Sequence, residues 1–305
     1  MKAVAYALDP ALSVDAATRA LREGGWGFKP IAGGQSLGAM LNLRLAQPET
    51  LVDLDGIAEL GTVHEAADHV FFGAMTTHAA IEDALVPDPS GGLMPFVARS
   101  IAYRAVRNRG TIGGSLCHAD PAADWVACLP LLGAAVVVAG EHGRRDIPAA
   151  SFMTSAFETQ LAEGELLIGV RVPRRSPTAR WSYRKFCRKT GEFSHATVGA
   201  LIDPADGTER LVLGALDGTP RVFEGAGLLR CPGSHPRRPA LPLRRADQPC
   251  RPACRTDAGL PVDDRRGTGN DRKGWCTGSL VGQAARAPGH DGNQSDHRIL
   301  EVLES

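Results

Sequence analysis

The spacing of apolar residues in the first 55 positions predicts a compact β–turn–α–β unit. The predicted elements are a helix over residues 11–23, a strand over 29–32, a helix over 37–45 and a strand over 50–55. Ser13 and Ser36 can cap the two helices, because serine hydroxyls accept hydrogen bonds from the free N–H groups of a first turn. Gly24-Gly25 ends the first predicted helix, and Pro48 ends the second.

From residue 58 to residue 224 the pattern alternates strands with helices and then continues as strands alone. Strands are predicted over residues 70–75, 134–139 and 166–172, and helices over 78–85, 93–101 and 124–132. Three further strands, over residues 181–187, 196–202 and 210–216, follow one another with turn residues between them. Successive strands of this kind favour an antiparallel sheet over more βαβ units.

The composition changes abruptly near residue 225. All nine Phe, all three Tyr and all five Met precede that position, and Trp275 is the single aromatic residue after it. Residues 225–305 also contain eight Pro, thirteen Lys and Arg, and one Ile. A stretch so poor in core-forming side chains cannot bury enough apolar surface to offset its conformational entropy, which predicts an atypical, disordered tail. A short amphipathic helix is predicted only over residues 299–303.

Charge and length exclude several classes of protein. The formal net charge is zero and the pI is about 7.1, whereas a nucleic-acid-binding protein usually shows a basic excess. No apolar run approaches the roughly 18 residues of a membrane span, and the apolar start is too short for a signal peptide. We therefore expect a cytoplasmic protein without nucleic-acid partners. Seven cysteines form no CxxC pair and no even disulfide framework.

Two glycine-rich stretches carry the candidate chemistry. The first runs Ala32-Gly33-Gly34-Gln35-Ser36, and the second runs Gly110-Thr111-Ile112-Gly113-Gly114-Ser115. Both lead towards predicted helices, and free N–H groups at such turns bind anions. For either stretch alone, a tight turn that binds no ligand is the favoured interpretation. Together they suggest a ligand with two linked phosphates, although neither the GxGxxG fingerprint nor a GxxxxGK[ST] loop is present.

Three motifs resemble one family, in its order and spacing. The first glycine stretch is followed by Asn42-Leu43-Arg44 and Leu51-Val52-Asp53-Leu54. The second stands within residues 106–124, and the third motif covers residues 183–192. From residue 1 to about 224 the chain resembles the FAD-binding medium subunit of molybdenum hydroxylases, the relatives of xanthine dehydrogenase, aerobic carbon monoxide dehydrogenase and N-heterocycle hydroxylases.

The resemblance implies a role for individual residues. The FAD pyrophosphate would be held through backbone N–H groups and hydroxyls of the two stretches, namely Ala32, Gly33, Gly34, Gln35 and Ser36, with Thr111, Ile112, Gly113, Gly114 and Ser115. Asp124 would accept hydrogen bonds from the adenosine ribose, or would serve as a helix N-cap. Lys185 would lie near the flavin ring, unless it is an ordinary solvated lysine. The backbone at Leu167 would contact the isoalloxazine edge. No catalytic residue and no metal ligand is assigned to this chain.

The resemblance also implies a fold and partners. The fold class would be α+β, a two-subdomain FAD-binding fold of the PCMH type followed by an antiparallel C-terminal sheet domain that is incomplete here. The domains would be residues 1–57, 58–175 and 176–224, with the atypical tail at 225–305. The chain would pass electrons from two [2Fe-2S] clusters on a small iron–sulfur subunit to an external acceptor. A large molybdopterin subunit would hydroxylate an aromatic N-heterocycle such as nicotine or a purine.

Three alternatives to this function remain open. The chain could be the same subunit of an aerobic carbon monoxide dehydrogenase, a stand-alone flavoprotein oxidase, or a non-enzymatic nucleotide-binding module. Because the resemblance ends where the composition changes, we also hypothesise a reading-frame shift near residue 225. Resequencing of codons 215–235 tests it, and an intact frame there would rule it out.

Two groups of cysteines and histidines deserve a separate interpretation. Cys117-His118 lies between the second glycine stretch and Asp124, and a small buried thiol in a flavin loop is expected there in preference to a metal ligand or nucleophile. The later residues Cys231, Cys250, Cys254, Cys276, His290 and His297 match no tight zinc spacing. No metal site is therefore predicted.

Overall fold

A computed structural model describes residues 2–229 and 244–245. The N-terminal unit is built on a three-stranded parallel sheet in the order β1-β3-β2. Its elements are β1 (Ala7–Pro10), α1 (Val14–Gly24), β2 (Phe28–Ile31), α2 (Leu37–Asn42) and β3 (Thr50–Asp53). The predicted unit is present and gains one strand, β1, that the sequence pattern did not predict. The chain enters α2 directly from the first glycine stretch.

Both serines predicted as caps stand at N-cap positions, but they behave differently. The Ser13 hydroxyl accepts a hydrogen bond from the Ala16 amide at 3.1 Å, as expected. Ser36 precedes α2 with helical backbone angles, and its side chain makes no capping hydrogen bond. The predicted capping role of the Ser36 hydroxyl is therefore wrong, because a residue already in the helical region does not aim its hydroxyl at the first turn.

The middle unit is a five-stranded antiparallel sheet in the order β4-β5-β10-β6-β7, with helices packed on it. Its strands are β4 (Val63–Glu65), β5 (His69–Gly73), β6 (Ala135–Gly140), β7 (Gly143–Pro148) and β10 (Leu166–Pro173). Its helices are α3 (His78–Glu82), α4 (Leu93–Ser100), α5 (Arg104–Arg107), α6 (Ile112–His118), α7 (Asp124–Leu132) and α8 (Ala149–Phe152), and a small hairpin joins β8 (Met153–Ser155) to β9 (Glu158–Thr159).

The C-terminal unit is a second antiparallel sheet, in the order β14-β13-β12-β11-β15. Its strands are β11 (Arg180–Phe186), β12 (Ala196–Asp203), β13 (Thr208–Gly214), β14 (Arg221–Glu224) and β15 (Arg244–Arg245). Helix α7 packs against β12 and β13, and every one of its residues is buried. The α+β fold class with an antiparallel C-terminal sheet is thereby confirmed.

One continuous apolar core joins the three units. It includes Val52 from β3, Phe72 from β5, Trp125 from α7 and Val212 from β13. The boundaries near residues 57 and 175 stay predictions. The candidate zinc residues and the short helix at 299–303 lie outside the described residues, as does the tail from residue 230 except 244–245. Within the described part, no helix is long and apolar enough to cross a bilayer.

Candidate functional site

The two glycine stretches, which we call the first loop (residues 32–36) and the second loop (residues 110–115), are in direct contact. A Cβ atom on Gly33 would lie 1.9 Å from the carbonyl oxygen of Arg109 and 3.1 Å from Cα of Gly110. A Cβ atom on Gly114 would lie 3.8 Å from Cβ of Ala32. Glycine is required at position 33 because the backbone of the second loop occupies the space of a side chain there. The fold therefore brings together the two stretches that the sequence singled out.

The first loop presents unused hydrogen-bond donors. Among the described residues, no acceptor binds the amides of Gly33, Gly34, Gln35 or Ser36. Gly34 has a φ of 68°, and the side-chain amide of Gln35 donates to the carbonyl of Gly33 at 2.9 Å. A turn of this kind with several free N–H groups binds anionic groups such as phosphate. Its geometry fits the predicted pyrophosphate contact.

The second loop has already used its amides. The N–H groups of residues 112–115 donate within the protein, to the carbonyls of Thr76, Ala74 and Thr111 and to the Thr111 hydroxyl, at distances of 2.9–3.0 Å. Gly113 and Gly114 lie inside the first turn of α6, which the Thr111 side chain caps. The expected amide cradle of Ile112, Gly113, Gly114 and Ser115 is thus not available as the loop stands here. The second loop can still offer a ligand the Ser115 hydroxyl. A ligand can also come close to the backbone at Gly114, which is exposed.

A buried ion pair joins the first residue of α7 to strand β11. The Lys185 ammonium in β11 lies 2.8 Å from Oδ2 of Asp124, and the two side chains are only 9% and 5% exposed. The Tyr183 hydroxyl donates to the Asp124 carbonyl at 3.3 Å. Burial raises the pKa of Asp124, and the Lys185 ammonium acts in the opposite direction. Lys185 is not the solvated lysine of the alternative interpretation, and Asp124 is not an N-cap, since Ala123 holds that position.

Comparison with known proteins identifies the domain. Residues 6–175 match the family described as FAD binding domain in molybdopterin dehydrogenase. The chain belongs to this family. FAD is therefore the cofactor of this domain, and the predicted resemblance is confirmed.

Named relatives agree with this assignment. The nicotine 6-hydroxylase medium subunit of Paenarthrobacter nicotinovorans is 39% identical over 58% of this chain and 62% of its own length. The carbon monoxide dehydrogenase medium chain of Hydrogenophaga pseudoflava is 38% identical over 62% of this chain and 66% of its own length. The chain thus matches less than two thirds of the length of either relative.

Solved structures share the fold. A carbon monoxide dehydrogenase from Hydrogenophaga pseudoflava that lacks the Mo-pyranopterin moiety superposes with a TM-score of 0.69 at 34% identity, covering 73% of this chain and 78% of that one. Quinoline 2-oxidoreductase from Pseudomonas putida 86 gives a TM-score of 0.66 at 32% identity, covering 75% of this chain and 79% of that one. The covered share extends beyond residue 175, so the C-terminal sheet belongs to the shared fold.

The residues present fit FAD. Oδ1 of Asp124 is buried without a hydrogen-bond partner among the described residues, although the other carboxylate oxygen is paired. An acceptor in this state is costly unless a donor arrives, and the hydroxyls of FAD are donors of the right kind. The unpaired oxygen and the close approach at Gly33 are both compatible with a bound dinucleotide.

The ion pair constrains two of the predicted contacts. The adenosine ribose, assigned to Asp124, and the flavin ring, assigned to Lys185, lie at opposite ends of FAD. In the structure the two side chains touch. Both contacts can be made together only if the cofactor folds back on itself or the ion pair opens. Each assignment stays a prediction.

Leu167 and Cys117 are two further residues for which the sequence predicted an environment. Leu167 is buried in β10, beside a register shift against β6, and β10 packs against α6. Its predicted flavin contact stays a prediction. Cys117 is exposed as a residue, but its thiol is desolvated, and this burial raises the pKa of the thiol to about 12, in line with the expected small buried thiol. The described residues contain no group of three potential metal ligands.

Several buried polar residues around the second loop were not predicted. Arg107 makes a two-point ion pair with Glu82 at 2.7 and 3.0 Å and donates to the carbonyls of Ile101 and Ala102. His78 accepts a hydrogen bond from the indole of Trp125 at 3.0 Å. The sequence signal was the basic run that leads into the second loop, but its acidic partner precedes it by 25 residues. Sequence spacing alone could not pair them.

Proposed function

We propose that this chain is the FAD-carrying electron-transfer subunit of a heterotrimeric molybdenum hydroxylase. A small subunit with two [2Fe-2S] clusters would supply the electrons, and a large molybdopterin subunit would hydroxylate the substrate. The proposal is supported by the family membership and by relatives whose names describe a medium subunit and a medium chain. The cytoplasmic location stays a prediction.

Two observations carry the proposal: the contact between the two loops, and a buried carboxylate in α7 with one unpaired oxygen. When bound, FAD supplies a flavin ring that accepts and passes on electrons. The free amides of the first loop would donate to the pyrophosphate, and the Ser115 hydroxyl would face it from the other side. Asp124 would accept from a cofactor hydroxyl through its unpaired oxygen, while Lys185 holds the other carboxylate oxygen.

The native assembly tests this proposal most directly. Purification of the chain from its source should yield three different subunits, molybdenum, iron and a flavin absorbance spectrum. A single active flavoprotein without partners would favour the stand-alone oxidase. A chain that fails to bind FAD, added during refolding, would favour the nucleotide-binding module.

The substrate class of the complex is the finer part of the proposal. We propose an aromatic N-heterocycle, because the relative at 39% identity is named for nicotine and another, at 33% identity, for caffeine. The carbon monoxide dehydrogenase medium chain at 38% identity favours the alternative. Dye reduction by the purified complex with nicotine, a purine or carbon monoxide distinguishes the two, and turnover of carbon monoxide alone would overturn the N-heterocycle proposal.

The roles of the ion pair can be separated by substitution. Lys185→Ala should keep FAD but slow reoxidation of the reduced flavin, if the ammonium acts at the flavin ring. Asp124→Asn should weaken FAD binding, if the carboxylate accepts from a cofactor hydroxyl. Unchanged reoxidation in Lys185→Ala would remove its role at the ring, and unchanged FAD affinity in Asp124→Asn would remove the hydroxyl contact.

A further inference from the structure

A buried histidine packs directly against the backbone of the second loop. His78 opens α3 and is 5% exposed. Its backbone N–H donates to the Gly110 carbonyl at 2.9 Å. A Cβ atom on Gly110 would lie 2.9 Å from both Cδ2 and Nε2 of the His78 ring. Gly110 in turn faces Gly33, so its backbone is enclosed between the His78 imidazole and the first loop.

Trp125 fixes which nitrogen of this ring carries the proton. The indole Nε1–H can only donate, and it donates to Nδ1 of His78 at 3.0 Å. Nδ1 must therefore be unprotonated, and the proton of the neutral ring resides on Nε2, the edge that faces Gly110. Trp125 is fully buried and directly follows Asp124 in α7. The histidine thus connects the second loop with the helix that carries the buried carboxylate.

The surroundings keep the ring neutral. Burial lowers the pKa of His78 to about 4, and the Arg107 guanidinium acts in the same direction. Of the elements packed on the ring, α5 contributes Arg107, which is paired with Glu82 of α3, while Gly110 and Trp125 carry no charge. A protonated ring would direct a second N–H at the indole N–H, and that contact would break.

We propose that His78 is a positioning residue of the FAD site, whose ring, held by Trp125, sets the distance between the second loop and the first. The inference rests on the two loops binding FAD. The ring does not touch the cofactor. It fills the space behind Gly110, so that Arg109 and Gly110 press against Gly33 and leave the first-loop amides correctly spaced for phosphate.

Titration of the refolded, flavin-free full chain with FAD tests this, with quenching of flavin fluorescence as the signal. His78→Leu and Trp125→Phe should each raise the Kd for FAD about tenfold, because one buried partner of the hydrogen bond is left unpaired. His78→Asn keeps an acceptor at the position of Nδ1 and should recover most of the affinity. His64→Leu is the matched control, since His64 is exposed on β4, and its affinity should equal that of the wild type.

Two readouts separate positioning from general loss of structure. The wild-type Kd for FAD should rise as pH falls through about 4, and this rise should be smaller in His78→Asn, in which Asp124 can still take up a proton but residue 78 cannot. ¹⁵N-histidine spectra of the full chain should show His78 with Nδ1 unprotonated, and Trp125→Phe should change that pattern. If His78→Leu does not fold, Trp125→Phe and the pH profile of His78→Asn still decide.

The outcomes for the two proposals are distinct. Wild-type affinity in Trp125→Phe, or an acid step of wild-type size in His78→Asn, would overturn the inference and leave FAD binding intact. A wild-type chain that does not bind FAD at all would overturn both.

Discussion

The first and second loops have nearly the same residues and opposite hydrogen-bond states. In the first loop the amides of residues 33–36 are free and the Ser36 hydroxyl caps nothing. In the second loop every amide from 112 to 115 is already bonded, and the Thr111 hydroxyl caps α6. The comparison teaches that a Gly-Gly pair followed closely by Ser indicates close backbone approach, while the state of its N–H donors depends on which acceptors the rest of the fold places beside it. The first loop has free donors, and the second loop forms the surface against which the first loop packs.

The largest expected effect concerns the buried ion pair between Arg107 and Glu82, which lies just before the second loop in the chain. Arg107→Met should lower the free energy of unfolding by about 3–5 kcal/mol, because Glu82 loses its two-point partner in a buried setting. Urea denaturation measures it. Arg104→Met is the control: its guanidinium also pairs with Glu82 but is half exposed, so the loss should be much smaller. Equal losses in the two variants would contradict this account of the second loop.

The second prediction breaks the contact between the loops. Gly33→Ala should abolish FAD binding and cost roughly 1–3 kcal/mol of stability, because its Cβ atom would collide with the Arg109 carbonyl and force the loops apart. FAD retention after gel filtration and a urea curve measure the two effects. Gly61→Ala is the matched control, since a Cβ atom there meets nothing within 4 Å. Retention of stoichiometric FAD by Gly33→Ala would show that the loops need not touch.

The sequence singled out the two loops that meet in the structure, but it did not predict how their hydrogen bonding differs. Both ends of helix α7 were predicted correctly, since its apolar run stops at Gly133, which ends the helix in a left-handed conformation. Strand β7 was missed because its positions are almost all exposed and polar, which leaves no alternation to detect. At the site, the bonding of the second-loop amides depends on Ala74 and Thr76, and the ion pair joins residues 61 positions apart. Such partners are set by tertiary packing and carry no local signal.

The third prediction concerns the hydroxyl of the second loop. Thr111→Val should lower stability by about 1 kcal/mol, because the Gly114 amide loses its capping acceptor at 3.0 Å. The FAD affinity should change less than in any first-loop variant, since this hydroxyl serves the helix. Thermal denaturation and FAD titration of the same preparation provide both values. A large loss of affinity at wild-type stability would mean that the Thr111 hydroxyl serves the ligand and not the helix.

The smallest effect on stability, and the sharpest test of the comparison, is expected at Ser36. Because its hydroxyl caps nothing, Ser36→Ala should change the free energy of unfolding by less than about 0.5 kcal/mol. If that hydroxyl donates to the pyrophosphate, the loss of a hydrogen bond to a charged group should still raise the Kd for FAD about tenfold to a hundredfold.

Ser13→Ala is the control and should do the reverse, since the Ser13 hydroxyl caps α1. We expect about 1 kcal/mol of stability to be lost and the FAD affinity to stay unchanged. The two serines are alike in type and in position before a helix, so only their hydrogen-bond state distinguishes them. If both variants lost stability and neither lost affinity, the first loop would be a structural turn like the second, and the phosphate donors would have to be sought elsewhere.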